Sequence, residues 1–356
     1  MLGTRQYHAA PPGAPNAGGI AVLLVNLGTP AAPTAPAVRR YHGQFLSDPR
    51  VIELPRWFWW PVLHGVILRL RPARSARAYA SIWTKAGSPL LTHSQALAAA
   101  LQQTLQQDSP APIRVELAMT YGEPAVPAAL RRLIDAGYRR VLVLPLYPQY
   151  SATSTGAALD ALADAIKTLR WPPELRTVSD YHDQDAHIEA LARSVERHWA
   201  AQGRAERLLL SFHGIPQRCV TAGDPYAAQC RETAARLAAR LGLEPEHLIV
   251  SFQSRVGREE WLRPYTDQTL QQLARSGVGS VQVLCPGFAV DCLETLEEIA
   301  VENRERFLHA GGQRYEYIPA LNDGADQVQA LAALVRRHLQ GWIPPAGPDS
   351  GPDSGA

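Results

Sequence analysis

A repeated pattern constrains this chain more than any other feature. A short apolar run is stopped by glycine, proline or a polar side chain, and a longer segment with helical spacing follows. The runs are "GIAVLLVNLGTP" from Gly19, "IRVELAMTYGEP" from Ile113, "RVLVLPLYPQYS" from Arg140, "LLLSFHGIP" from Leu208, "LIVSFQS" from Leu248 and "VQVLCPGF" from Val281. Segments such as "SQALAAALQQTLQQ" and "CRETAARLAARLGL" lie between them. Near-continuous apolar runs of this length are what strands buried on both faces look like. Their alternation with helices predicts an α/β protein with parallel sheets flanked by helices.

The runs fall into two groups, which predicts two similar halves. We place the first domain at 19–172 and the second at 173–321, divided at "WPPE", with a helix over 322–342 packing back on the first half. Residues 1–18 and 343–356 lack periodicity, and the repeated GPDS near the end has nothing to bury, so both read as disordered tails. A chain of 356 residues is long enough for two ordinary cores.

Composition removes several classes of function. Net charge is +2 with no long Lys/Arg block, so nothing supports nucleic-acid binding. Four cysteines do not make a disulfide framework in a chain of this size, which points to a reducing compartment. The N-terminal stretch has no apolar core of signal-peptide length, and a cytoplasmic location is expected. The segment 56–70, "RWFWWPVLHGVILRL", falls short of the roughly 20 residues that span a bilayer, and Pro61 and Gly65 interrupt it. Its tryptophans suit either an interfacial lip or a helix buried against the core.

Ligands in open parallel sheets bind beyond the carboxyl ends of the strands. Asn26, Tyr121, Tyr147, His213, Gln253 and Phe288 all stand at such ends, whereas His247 stands at the opposite end of its run. His213 is thus either a site residue or an ordinary turn histidine. A second cluster is "CPGFAVDCLETLEEIAVENRERF", residues 285–307. At 3.6 residues per turn Asp291, Glu294, Glu298 and Glu302 share one helix face. They read either as a capping-box-like start, Asp291 at the N-cap and Glu294 at N3, with a solvated face beyond, or as ligands for a cation. An imidazole with carboxylates is a donor set for borderline divalent metals. No HExxH, CxxC, phosphate-loop or GxSxG pattern occurs, and Cys219, Cys230, Cys285 and Cys292 have no cluster spacing. Spacing yields a metal-binding cleft but no reaction.

At these residues the chain resembles the ferrochelatases, and most closely their Gram-negative bacterial branch. The likeness runs from about residue 20 to about residue 340 through "LLVNLGTP", "YASIWTKAGSPL", "LPLYPQYSATSTG", "SFHGIPQR", "GDPY", "SFQSRVGREEWLRPYT" and "CPGFAVDCLETLEEI". The resemblance implies two Rossmann-like, chelatase-type domains with a porphyrin cleft between them. It implies a lyase that inserts Fe2+ into protoporphyrin IX with release of two protons, the last step of haem biosynthesis. Carried over by motif, His213, Glu294 and Glu298 are catalytic and His213 and Glu294 bind the metal; Glu298 continues the acidic row, which in the family can follow a π-helical turn. Asn26, Leu27, Tyr121, Trp261 and Phe288 resemble porphyrin-pocket positions, and Tyr79 and Ser88 resemble residues near the propionates.

The chain departs from some relatives at two positions. Cys292 stands where some have histidine, and Leu27 stands where some Gram-positive enzymes have tyrosine. The second departure favours protoporphyrin IX over coproporphyrin. The cysteine-rich tail that holds an iron–sulfur cluster in some relatives is missing, so no cofactor beyond the substrate iron is expected. The lip at 56–70 would touch the inner face of the membrane at the cleft mouth. Two other readings are a chelatase for a different divalent metal and a non-catalytic porphyrin or metal carrier. A carrier would not need both His213 and Glu294.

Overall fold

The computed structural model describes residues 7–10, 18–107, 109–257 and 259–343. Among these, eight strands form two parallel sheets of four. The first contains β1 (Ile20–Asn26), β2 (Ile113–Met119), β3 (Arg140–Pro145) and β4 (Glu174–Thr177), in the order β2-β1-β3-β4. The second contains β5 (Arg207–His213), β6 (Leu248–Gln253), β7 (Ser280–Leu284) and β8 (Arg314–Ile318), and repeats that order as β6-β5-β7-β8.

The apolar runs become strands β1, β2, β3, β5, β6 and β7, and the four central ones, β1, β3, β5 and β7, are covered on both faces. Val22 and Leu24 of β1 pack into one core with the helices Pro89–Gln107 and Ala325–His338, through Leu97, Leu101, Leu331 and Val335. Ala21, Leu23 and Val25 enter the core on the opposite face. The split follows the two-residue period of a strand. Leu209 of β5 likewise faces one core, while Leu208, Leu210 and Phe212 face the other. Each such side chain contributes roughly 1.5–3 kcal/mol when fully buried.

Several expectations need correcting. Residues 174–177 form β4 on the edge of the first sheet, paired with β3 from Arg140–Glu174 to Val143–Thr177, so a boundary at 172 is too early. β4 ("ELRT") and β8 ("RYEYI"), the edge strands at one side of each sheet, are absent from the apolar runs because they are partly exposed and carry polar side chains. The expected tail over 1–18 has an ordered part at 7–10. There the His8 N–H donates to Thr168 O at 2.7 Å, and the His8 ring meets Asp135 at 2.8 Å. The rest of that tail, apart from Gly18, and all of 343–356 beyond Ile343 lie outside the described residues. The helix Ala325–His338 packs against both Pro89–Gln107 and Asp185–Gln202, joining the halves.

Pro61 and Gly65 do not break the segment 56–70. An α-helix over Arg56–Val62 passes into a π-helical turn at Leu63–Ile67 and then into the α-helix Leu68–Ile82. A π-turn accommodates the lost proline donor. No residue of Arg56–Val62 is buried, whereas Leu63 and Leu68 of the continuation are, so the segment packs on the core only through its second half.

Candidate active site

The carboxyl ends of the two sheets face one cavity of about 1330 Å³. Asn26 and Leu27 reach it from β1, Tyr147 from beyond β3, His213 from β5, Gln253 from β6 and Phe288 from beyond β7. The volume exceeds the ~300–1,000 Å³ of ordinary small-molecule sites. The aromatic and aliphatic wall suits a flat apolar ligand.

His213 is held in one tautomer. Its Nδ1 lies 2.6 Å from the Gly214 main-chain oxygen, which can only accept, so Nδ1 carries the proton. Nε2 is left with its lone pair, available to a proton or a metal. Gly214 has to be glycine, since a Cβ there would stand 2.8 Å from Gln253 O and 3.3 Å from the Trp261 ring. Trp261 is fixed in turn by donating from Nε1 to Val256 O at 2.8 Å.

The acidic segment is a π-helix over Glu294–Asn303. Its wide turn brings Glu294, Glu297, Glu298 and Glu302 to the cavity wall. Asp291 is not in that row. It is 4 % exposed and accepts from Tyr317 Oη at 2.6 Å, Asn322 Nδ2 at 2.7 Å and Thr295 Oγ1 at 2.9 Å. It pins the start of the helix to β8 and the segment after it. The capping-box expectation fails too, because the π-helix follows Leu293 with no side-chain cap.

The inner carboxylates have different surroundings. Glu298 is gripped by Ser254, whose N–H donates to Oε1 at 2.9 Å and whose hydroxyl donates to Oε2. Burial raises the Glu298 pKa, while the Ser254 hydroxyl and the nearby His213 charge pull it down. Glu294 also borders a second, small cavity of about 10 Å³ with Tyr41, Tyr79, Thr29, Ser88 and Cys292. That space holds about one water. Burial holds both phenols well above their ordinary range, and the charge of Glu294 raises them further. Glu302 pairs with Arg306 at 2.9 Å at the more open end of the row.

A ferrochelatase family model matches residues 19–339. The chain belongs to the ferrochelatase family. Ferrochelatases of Nitrosococcus oceani and Thioalkalivibrio sulfidiphilus are 54 % and 52 % identical to it, over 323 and 329 residues. The alignments cover 91 % and 92 % of this chain and 88 % and 89 % of theirs. The structure of SirB from Bacillus subtilis with Fe3+ matches with a TM-score of 0.52 at 12 % identity, covering 91 % of this chain and 98 % of that one. At that identity the likeness is one of fold alone.

Set out as a ferrochelatase cleft, the residues expected from the sequence divide into two sets. His213, Glu294, Glu298, Asn26, Leu27, Tyr79, Trp261 and Phe288 all line the large cavity, and Ser88 and Tyr121 do not. Ser88 accepts from Thr29 Oγ1 at 2.8 Å inside the small cavity. Tyr121 donates to Asp48 Oδ2 at 2.8 Å, directed away from the cleft. Asn26 lines the wall, but its amide is committed to Ser94 Oγ at 3.1 Å and the Leu27 N–H at 2.8 Å. Sequence reasoning missed Arg71 and Arg74. Both line the cavity and, among the described residues, neither has an ion-pair partner. The absence of acids from "RLRPARSARAYA" was the available signal.

Proposed function

We propose that this chain inserts Fe2+ into protoporphyrin IX in the cleft between its sheets, and that His213, Glu298 and Glu294 share the chemistry. Porphyrin and Fe2+ give haem and two protons. An acceptor must therefore face the pyrrole N–H groups, and an anionic group must hold iron as it sheds water. One observation carries the assignment: the His213 imidazole, its Nδ1 tied to Gly214 O and its Nε2 open, shares the cavity wall with a row of carboxylates. His213 Nε2 accepts a pyrrole proton, and Glu298, within its field, stabilises the imidazolium that forms. Glu294, which borders the small cavity as well, serves as the iron-side carboxylate.

Substrate is held away from the reacting centre. Trp261, Phe288 and Leu27 supply apolar contact, and Arg71 and Arg74 offer unpaired guanidinium groups to the propionates. Such remote binding energy can support the bending of the ring that insertion requires. The lip is assigned to the membrane surface. Trp57 is 81 % exposed, Leu70 73 % and Phe58 50 %, on the segment between Leu54 and Arg71, both of which line the cavity. No helix among the described residues is long and apolar enough to cross a membrane.

The test is anaerobic incubation of Fe2+ and protoporphyrin IX with the protein, following the absorption change to haem. His213→Ala should abolish turnover while porphyrin affinity stays within about tenfold, since one imidazole is a small part of the contact. Turnover by His213→Ala near the wild-type rate would remove the assignment.

A further inference from the structure

Ser254 has an unusual backbone. It is the residue immediately after β6, and its φ of +67° lies in the left-handed region that non-glycine residues seldom adopt. Among the described residues only Asn322 shares that property outside the glycines. A strand end that merely had to turn would do so at lower cost with glycine.

The conformation gives Ser254 two donors aimed at one acceptor. Its N–H reaches Glu298 Oε1 at 2.9 Å, and its hydroxyl reaches Oε2. Rotation about N–Cα sets where Cβ, and with it the hydroxyl, stands relative to the residue's own N–H, and at this φ both reach one carboxylate. The residue before it is equally fixed. Gln253 is 3 % exposed, its Oε1 accepts from Ser211 Oγ at 2.7 Å, and its Nε2 donates to the Glu294 main-chain oxygen at 3.3 Å. Two successive residues thus hold the π-helix at two points, the backbone of Glu294 and the carboxylate of Glu298.

We propose that Ser254 is a positioning residue that sets the plane of the Glu298 carboxylate toward His213. The proposal rests on the reading of Glu298 as the partner of His213. A glutamate on a wide helical turn has three side-chain torsions to lose, and among the described residues the hydrogen bonds to its carboxylate come from Ser254 and none from its own helix. A carboxylate has about four lone-pair sites. Ser254 occupies two of them from the β6 side and leaves the remainder facing the cavity. A side chain without the hydroxyl would release one oxygen and let the plane rotate.

Ser254→Gly is the informative variant. Glycine accepts the left-handed φ without strain and keeps the N–H, so only the hydroxyl is lost. The melting temperature should be unchanged or higher. The kcat for Fe2+ insertion should fall about tenfold, the lower end of what losing an orienting partner costs, with KM for protoporphyrin unchanged. The double variant Ser254→Gly, Glu298→Gln should be no slower than Glu298→Gln alone, because both act through one carboxylate. Wild-type kcat in Ser254→Gly would overturn the proposal, as would multiplied losses in the double variant. Silence of Glu298→Gln by itself would instead overturn the reading of Glu298, and the role of Ser254 with it.

Discussion

The side-chain amide of Gln253 donates to the main-chain oxygen of Glu294 at 3.3 Å, and the main-chain oxygen of Gln253 accepts from the N–H of Gly214 at 2.8 Å. One residue on β6 therefore joins the loop after His213 to the first residue of the acidic helix. Its amide cannot turn over freely, because Oε1 is engaged by Ser211 Oγ, itself 2.8 Å from Thr266 Oγ1. Gln253→Leu removes the donor and leaves the buried Ser211 hydroxyl without that acceptor. Stability should fall by about 1–3 kcal/mol, the cost of an unsatisfied buried polar group, and turnover should fall with it. Urea midpoints and initial rates on the same variant check both, and an unchanged midpoint would contradict the coupling.

The carboxylate row should respond unevenly to amide substitution. Glu294→Gln and Glu298→Gln keep shape but remove charge, and each should lower the rate by about 100-fold or more. Glu302→Gln breaks a half-exposed pair with Arg306. Such pairs are worth under ~1 kcal/mol, so its rate should stay near wild type. A flat profile across the three would mean that the row is a solvated face.

His187 makes stability depend on acid. It is 5 % exposed, its Nε2 has no hydrogen-bond partner, and its ring stands edge-on to Tyr181 with centroids 5.2 Å apart. Burial lowers its pKa from 6.5 to about 4. Between those values the unfolded chain binds a proton that the folded chain does not. Stability is therefore complete above the unfolded pKa and declines as pH falls toward 4, by at most about 3 kcal/mol. Urea unfolding at pH 7 and pH 5 should show a smaller loss in His187→Phe than in wild type.

The lip offers a sharper comparison than its sequence suggests. Trp59 is tied down by its Nε1 donating to Leu46 O at 2.7 Å, whereas Trp57 and Trp60 are exposed. Trp57→Ser with Trp60→Ser should reduce flotation with liposomes and leave the melting temperature in place. Equal partitioning of the two proteins would argue against membrane contact.

Purified protein should show no iron–sulfur bands. Cys219, Cys230, Cys285 and Cys292 are all buried, and desolvation raises every one of the four thiols. A cluster needs thiolates. Visible absorption by the iron-free protein, or acid-labile sulfide in it, would overturn this expectation.

The sequence by itself determined the central strands and what stands at their ends. A run such as "IAVLLV" is apolar at every position because both sheet faces are covered, and it gives way to Asn26 where the chain emerges at the cleft. His213, Gln253 and Phe288 were legible for that reason, as were Glu294 and Glu298 on a helix leaving the same edge. Only the tertiary structure decided which of these side chains face one another. Asp291 left the acidic row because Tyr317 of β8 and Asn322 beyond it donate to its carboxylate. Tyr121 turned to Asp48, and Ser88 to Thr29, for the same kind of reason. Periodicity reports how a residue sits on its own element. Where a polar side chain points depends on partners that the fold brings from elsewhere in the chain: Ser254 meets Glu298 across 44 positions, and Tyr121 meets Asp48 across 73.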